Sequence, residues 1–116
     1  GLSYTSFSQS GLRMSGLTAT FTVTNTGDRE GATVAQLYMV TTPGGPQQRL
    51  AGFTKVVLRA GESRRVSVTV DPRIVAEWDN AGWTIAEGRY GFALGENAET
   101  LSAPVSVAMR ARHWGP

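Results

Sequence analysis

Apolar and polar residues alternate with period two over much of the chain. Leu17, Ala19, Phe21 and Val23 alternate with Thr18, Thr20, Thr22 and Thr24 without a slip. This predicts a half-buried β-strand, with the apolar set facing a core and the threonines facing water. Asn25-Thr26-Gly27-Asp28 then predicts a turn, because Asn, Gly and Asp favour bent backbone. Val34 to Thr41 is β-rich but alternates less clearly, as expected of a strand covered on both faces. Thr42-Pro43-Gly44-Gly45-Pro46 predicts a loop. A strand over Leu50 to Leu58, a tight turn at Ala60-Gly61-Glu62 and a strand from Arg64 to Val70 follow. Tyr90, Phe92 and Leu94 alternate with Arg89, Gly91 and Ala93; Leu101, Ala103, Val105, Val107 and Met109 alternate with Ser102, Pro104, Ser106, Ala108 and Arg110. Pro104 has no N–H to donate, which places this last strand at a sheet edge or gives it a bulge. A less regular first strand covers Thr5 to Met14.

These elements amount to about seven short antiparallel strands with turn signals every 8–12 residues or so, the pattern of an all-β sandwich. One short helical turn, Pro72 to Trp78, interrupts them. Asp71 can cap its N-terminus, Pro72 suits the first helical position, and Ile74, Val75 and Trp78 share a face. It ends by Asn80-Ala81-Gly82 and reads as a crossover packed on one end of the sandwich. The organisation expected is a junction segment with the start of the first strand over residues 1–10, the sandwich over 11–110 and a loose tail over 111–116.

Composition narrows the functions open to such a sandwich. The 116 residues make one domain, and 17% charged residues against 41% hydrophobic ones make a folding composition. There is no cysteine, so disulfides, thiolate-bound zinc and a thiol nucleophile are excluded. No apolar run approaches the ~18 residues of a membrane span. With no signal-type segment and no starting Met, the chain reads as a mature or excised piece. The net charge is +2, and the basic residues are scattered among acids, as Arg29 is between Asp28 and Glu30. Arg110 and Arg112 form the one small cluster, so nucleic acid is not an expected partner.

Candidate chemistry is sparse. The single histidine, His113, stands beside Trp114 near the end of the chain, a poor place to hold a catalytic geometry. Asp71, Glu77 and Asp79 are the only local group of carboxylates, and no calcium-loop ladder or phosphate-binding glycine motif is present. No metal or cofactor is expected. Glu77 and Asp79 flank Trp78. Glycoside hydrolysis needs two carboxyls set across a cleft, whereas near neighbours on a short helical turn ordinarily face solvent. No catalytic residue is therefore assigned. Trp78, Trp83, Tyr38 and Tyr90 offer flat faces on which a sugar could stack, with Trp83 and Trp78 the favoured candidates. In a small sandwich such residues more often anchor the core or a domain interface.

The order and spacing of several motifs carry a family resemblance. They are Gly1-Leu2-Ser3-Tyr4-Thr5-Ser6-Phe7, Val23-Thr24-Asn25-Thr26-Gly27-Asp28 with Gly31-Ala32, and Ala35-Gln36-Leu37-Tyr38. Leu50-Ala51-Gly52-Phe53-Thr54-Lys55-Val56, Ala60-Gly61-Glu62-Ser63, Trp78-Asp79, Gly82-Trp83 and Glu87-Gly88-Arg89-Tyr90 complete the series. From Gly1 to about Met109 the chain resembles the fibronectin type III-like domain that ends many β-glucosidases of glycoside hydrolase family 3. Ala51 stands where that family usually has Lys.

The resemblance implies a fibronectin type III or immunoglobulin-like sandwich within a longer enzyme. That enzyme would remove terminal β-linked sugars with an Asp nucleophile and a Glu acid/base on earlier domains. No position here matches those motifs, so the implied role is accessory: a non-catalytic brace whose partners are the parent's catalytic domains. The Thr41–Arg49 loop is expected to reach outward to a neighbouring domain or substrate. Leu2, Tyr4 and Phe7 are expected to pack on the preceding domain, or on this sandwich in its absence. Two other readings stay open: a carbohydrate-binding module using exposed aromatics, and a free-standing interaction sandwich. Neither involves a membrane.

Overall fold

The threonine-faced segment forms the middle of a sheet, as its alternation requires. The computed structural model describes residues 5–97 and 99–115. Among these, the elements run β1 (Phe7–Ser15), β2 (Thr18–Asn25), β3 (Gly31–Thr42), β4 (Gly45–Leu58), β5 (Ser63–Thr69) and α1 (Pro72–Val75). Then come β6 (Glu77–Asp79), β7 (Gly82–Ile85), β8 (Gly88–Asn97), β9 (Thr100–Leu101), β10 (Val105–Met109) and β11 (Arg112–Trp114). All pairings are antiparallel. One sheet has the order β1-β2-β5; the larger has the order β10-β8-β3-β4, with β9 also on β8; a small third sheet has the order β11-β7-β6.

Ala19, Phe21 and Val23 of β2 are fully buried. They meet Ala35, Leu37 and Met39 of β3, Val56 and Leu58 of β4, and Phe92 and Leu94 of β8 in one core between the two large sheets. This is the sandwich that the pattern predicts. β3 and β8 lie inside the larger sheet, and their middles are buried on both faces from Leu37 to Met39 and from Tyr90 to Gly95. β10 is an edge strand and Pro104 stands just before it, outside the ladder, as its missing N–H demands.

Several details differ from the sequence expectation, among them the expected last strand from Leu101 to Arg110, which is interrupted at 102–104 between β9 and β10. The helical turn stops at Val75 and does not reach Trp78. Asp71 does cap it, accepting from the Arg73 N–H at 2.9 Å, but Glu77–Asp79 is a strand paired with Gly82–Ile85. A helix of two turns has little stability of its own, and the tight β6–β7 hairpin supplies ladder bonds and a Trp78–Trp83 cross-strand pair instead. The expected Thr41–Arg49 loop is a two-residue turn at Pro43 and Gly44; Gln47, Gln48 and Arg49 belong to β4. The Thr42 hydroxyl holds this turn, accepting from the Gly44 N–H at 3.2 Å and donating to the Gly45 carbonyl at 3.1 Å. The expected tail contains β11, whose residues pair with β7. The first strand begins at Phe7 and not at Thr5.

Candidate functional site

The small sheet gathers most of the residues singled out by type. β6, β7 and β11 align Trp78, Trp83 and Trp114 in one row across the strands. Trp78 and Trp83 lie 5.0 Å apart, centroid to centroid, tilted at 58°; Trp83 and Trp114 lie 6.3 Å apart, nearly parallel at 20°. The Arg112 guanidinium sits over Trp114 at 4.7 Å, an attractive placement for a cation on a π face. Trp83 and Trp114 are half-buried against the core, while Trp78 is 53% exposed. The row is locked by Gly82, at φ 120°. A Cβ there would collide with the Trp114 carbonyl. The rings therefore spend much of their surface on one another, and Trp78 alone of the three presents a large open area.

The carboxylates lie on the opposite side of β6 from Trp78, two residues apart on one strand. Asp79 accepts from the Ala81 N–H at 2.8 Å and shapes the hairpin turn. Glu77 is 3.6 Å from the Arg49 guanidinium, an exposed pair of small energetic weight. Glu77 also lines a cleft of about 340 Å³ beneath the β3–β4 turn, together with Gln47, Thr84 and Tyr90. It is the one carboxylate among the lining residues, whereas sugar hydrolysis by either stereochemical route needs two. His113 is exposed and shares a 3.0 Å hydrogen bond with the Thr84 hydroxyl. Asp71 serves its helix cap: the Arg73 side chain, then the Arg73 N–H, holds its carboxyl at about 2. That capping is intact above the ordinary carboxylate range and fades only as pH falls toward 2.

The two tyrosines among the described residues are buried and hydrogen-bonded. Tyr90 is buried and donates to the Ala86 carbonyl at 2.8 Å. Burial raises its phenol above the usual value, and the Glu77 charge adds to this. Tyr38 is buried and donates to the Gln36 side chain. Phe7 is half-buried and packs against the core at Gly31. Tyr4 and Leu2 lie outside the described residues. Among the described residues no three His, Asp or Glu side chains group closely enough to hold a metal, and no helix is long and apolar enough to cross a membrane.

Sequence reasoning passed over the outward face of the larger sheet. Val34, Leu50, Phe53 and Val57 are all exposed there, Phe53 by 66%. The signal was present: from Leu50 to Leu58 both alternating sets contain large apolar residues, although a two-sheet sandwich covers one face of its edge strand.

Sheet order, core and site together define an antiparallel β-sandwich module with a tryptophan-clasped hairpin sheet at its end. The chain belongs to the fibronectin type III-like domain family, whose model matches residues 33–98. It is 37% identical to a probable beta-glucosidase I of Aspergillus clavatus over 98% of this chain and 16% of that protein. It is 36% identical to an exo-alpha-(1->6)-L-arabinopyranosidase of Bifidobacterium longum, over 94% of this chain and again 16% of the relative. Its fold superposes on beta-glucosidase 3B of Thermotoga neapolitana, solved with glucose, with TM-score 0.86 and 30% identity, covering all of this chain and 18% of that one. The chain thus spans 16% of the length of the curated relatives named here.

Proposed function

We propose that this chain is the accessory sandwich of a longer glycosidase of family 3, β-glucosidase-like, and that it braces the catalytic domains without taking part in the chemistry. The observation that carries this reading is one of coverage. The whole of this chain superposes on 18% of a β-glucosidase, and the cleft beside Glu77 offers one carboxylate where hydrolysis needs two. The relatives add a second support. Two proteins of nearly equal similarity carry names for different sugars, as expected if this segment does not choose the sugar.

Charge-neutral replacements provide the test. In the full-length polypeptide, Glu77→Gln and Asp79→Asn should each leave kcat on a chromogenic β-glucoside within about twofold of the parent, since the interactions lost are exposed ones. A fall of a hundredfold or more with unchanged folding would move the chemistry into this sandwich. Trp78, exposed by 53%, favours carbohydrate contact as a second reading. Calorimetric titration with soluble β-glucans should then give heat that Trp78→Ala removes; the accessory reading expects no heat.

A further inference from the structure

We infer that the outward face of the five-stranded sheet, centred on Phe53, is the surface that seats this sandwich against the catalytic part of the same polypeptide. The inference rests on the accessory reading and names the face through which it operates. The outward positions pair as Ala32 with Val57, Val34 with Lys55, Gln36 with Phe53 and Tyr38 with Leu50. Val34, Leu50, Phe53 and Val57 are all exposed, beside the buried Tyr38 and Ala93 of the same face. Lys55 carries the charge in this stretch, and Gln36 is bonded to Tyr38. Four large apolar side chains converging on one flat sheet face are unusual for a surface left in water. The outward face of the other sheet shows the contrast, with Thr18, Thr20, Thr22 and Thr24 on β2 and Arg65, Ser67 and Thr69 on β5.

Two observations choose the occupant. The curated relatives extend far beyond the matched segment, which is 16% of their length. Thr5, Ser6 and Phe7 also share a concavity with Ala32, Val34, Gln36 and Glu96 at the margin of this face, so the N-terminal segment of the sandwich borders the patch. The geometry calls for an apolar partner surface with a carboxylate or carbonyl opposite Lys55, since interface centres are apolar and their charges are paired or peripheral.

Cysteine labelling in the full-length polypeptide tests this. Phe53→Cys and Ser67→Cys place single thiols on opposite sheets of a chain that has none of its own, and maleimide uptake at each is followed by peptide mass at two concentrations. Both side chains are exposed in the sandwich, so neither change threatens the fold. The expected result is labelling of Phe53→Cys at least tenfold slower than Ser67→Cys, independent of concentration. Equal rapid labelling at both sites overturns the inference and the docked brace with it. Slow labelling at Ser67→Cys with fast labelling at Phe53→Cys overturns the inference alone, leaving a brace seated through the other sheet. Protection of Phe53→Cys that vanishes on dilution assigns the face to a second copy of the protein and also overturns the inference.

Discussion

Phe21→Ala should destabilise the sandwich by about 3–5 kcal/mol, the largest effect expected of a single truncation here. Phe21 is fully buried at the middle of β2, with β1 on one side and Val66 of β5 opposite on the other. Its ring enters the core shared with Leu37, Met39 and Phe92 of the facing sheet. The ladder with β5 is unbroken around it, while β1 bulges between Ser10 and Arg13 on the other side; the space vacated inside the core adds a cavity cost to the lost burial. Domains of this size hold ~5–15 kcal/mol in total, so the variant should fall near its unfolding threshold. A urea titration reads the effect as a lower midpoint at an unchanged slope. A loss below about 1 kcal/mol would mean that the two sheets do not close over this residue.

Asn25→Ala should cost about 2–4 kcal/mol, although the side chain removed is small and polar. Asn25 is fully buried. Its amide nitrogen donates to the Arg29 carbonyl at 2.7 Å and to the Leu58 carbonyl at 3.1 Å. Its Oδ1 accepts from the Gly27 N–H at 2.9 Å and the Thr5 hydroxyl at 2.8 Å. All four hydrogen-bonding sites of the amide are thus used. The main chain adds a bond from Asn25 N–H to the Glu62 carbonyl and one from Gly61 N–H to the Asn25 carbonyl, both 2.9 Å. One residue at the end of β2 therefore joins the facing sheet at Leu58, the β2–β3 loop, the β4–β5 turn and the incoming chain. Alanine leaves buried carbonyls without donors, which costs more than the bonds themselves contribute. Thermal unfolding checks this, and hydrogen exchange should show the Gly27 and Gly61 amides losing protection first. A melting temperature equal to the parent's would show the network to be incidental.

These two positions mark the limits of what the sequence discloses. Phe21 is plain from its neighbours, because alternation with threonine states both that a strand exists and which side meets the core. Asn25 reads locally as a turn residue, and it does lie at a strand end. Its decisive partners are 20 and 33 residues away, beyond any local pattern. The Pro72 turn was legible from its cap and its proline. Its extension to Trp78 was not, because pairing with Trp83 outweighs a helical face so short. Likewise Arg112–Trp114 becomes a strand through β7, 29 residues back at the Thr84–His113 bond. The apolar face around Phe53 escaped notice because alternation reveals sides only when one of them is polar. At the candidate site, residue type singles out Trp78 and Trp83 as candidates for sugar or domain contact, and the structure places them side by side as an exposed and a half-buried ring. Residue type could not show that Trp114 joins them, since the register that aligns the three exists only in the folded sheet.

Steady-state hydrolysis of a chromogenic β-glucoside by the 116-residue chain alone, measured beside the full-length polypeptide, asks most directly whether this sandwich is a brace or a catalyst. The chain alone should give no rate above that of substrate in buffer, while the polypeptide turns over. Reproducible turnover by the isolated chain, abolished by Glu77→Gln, would contradict the non-catalytic role.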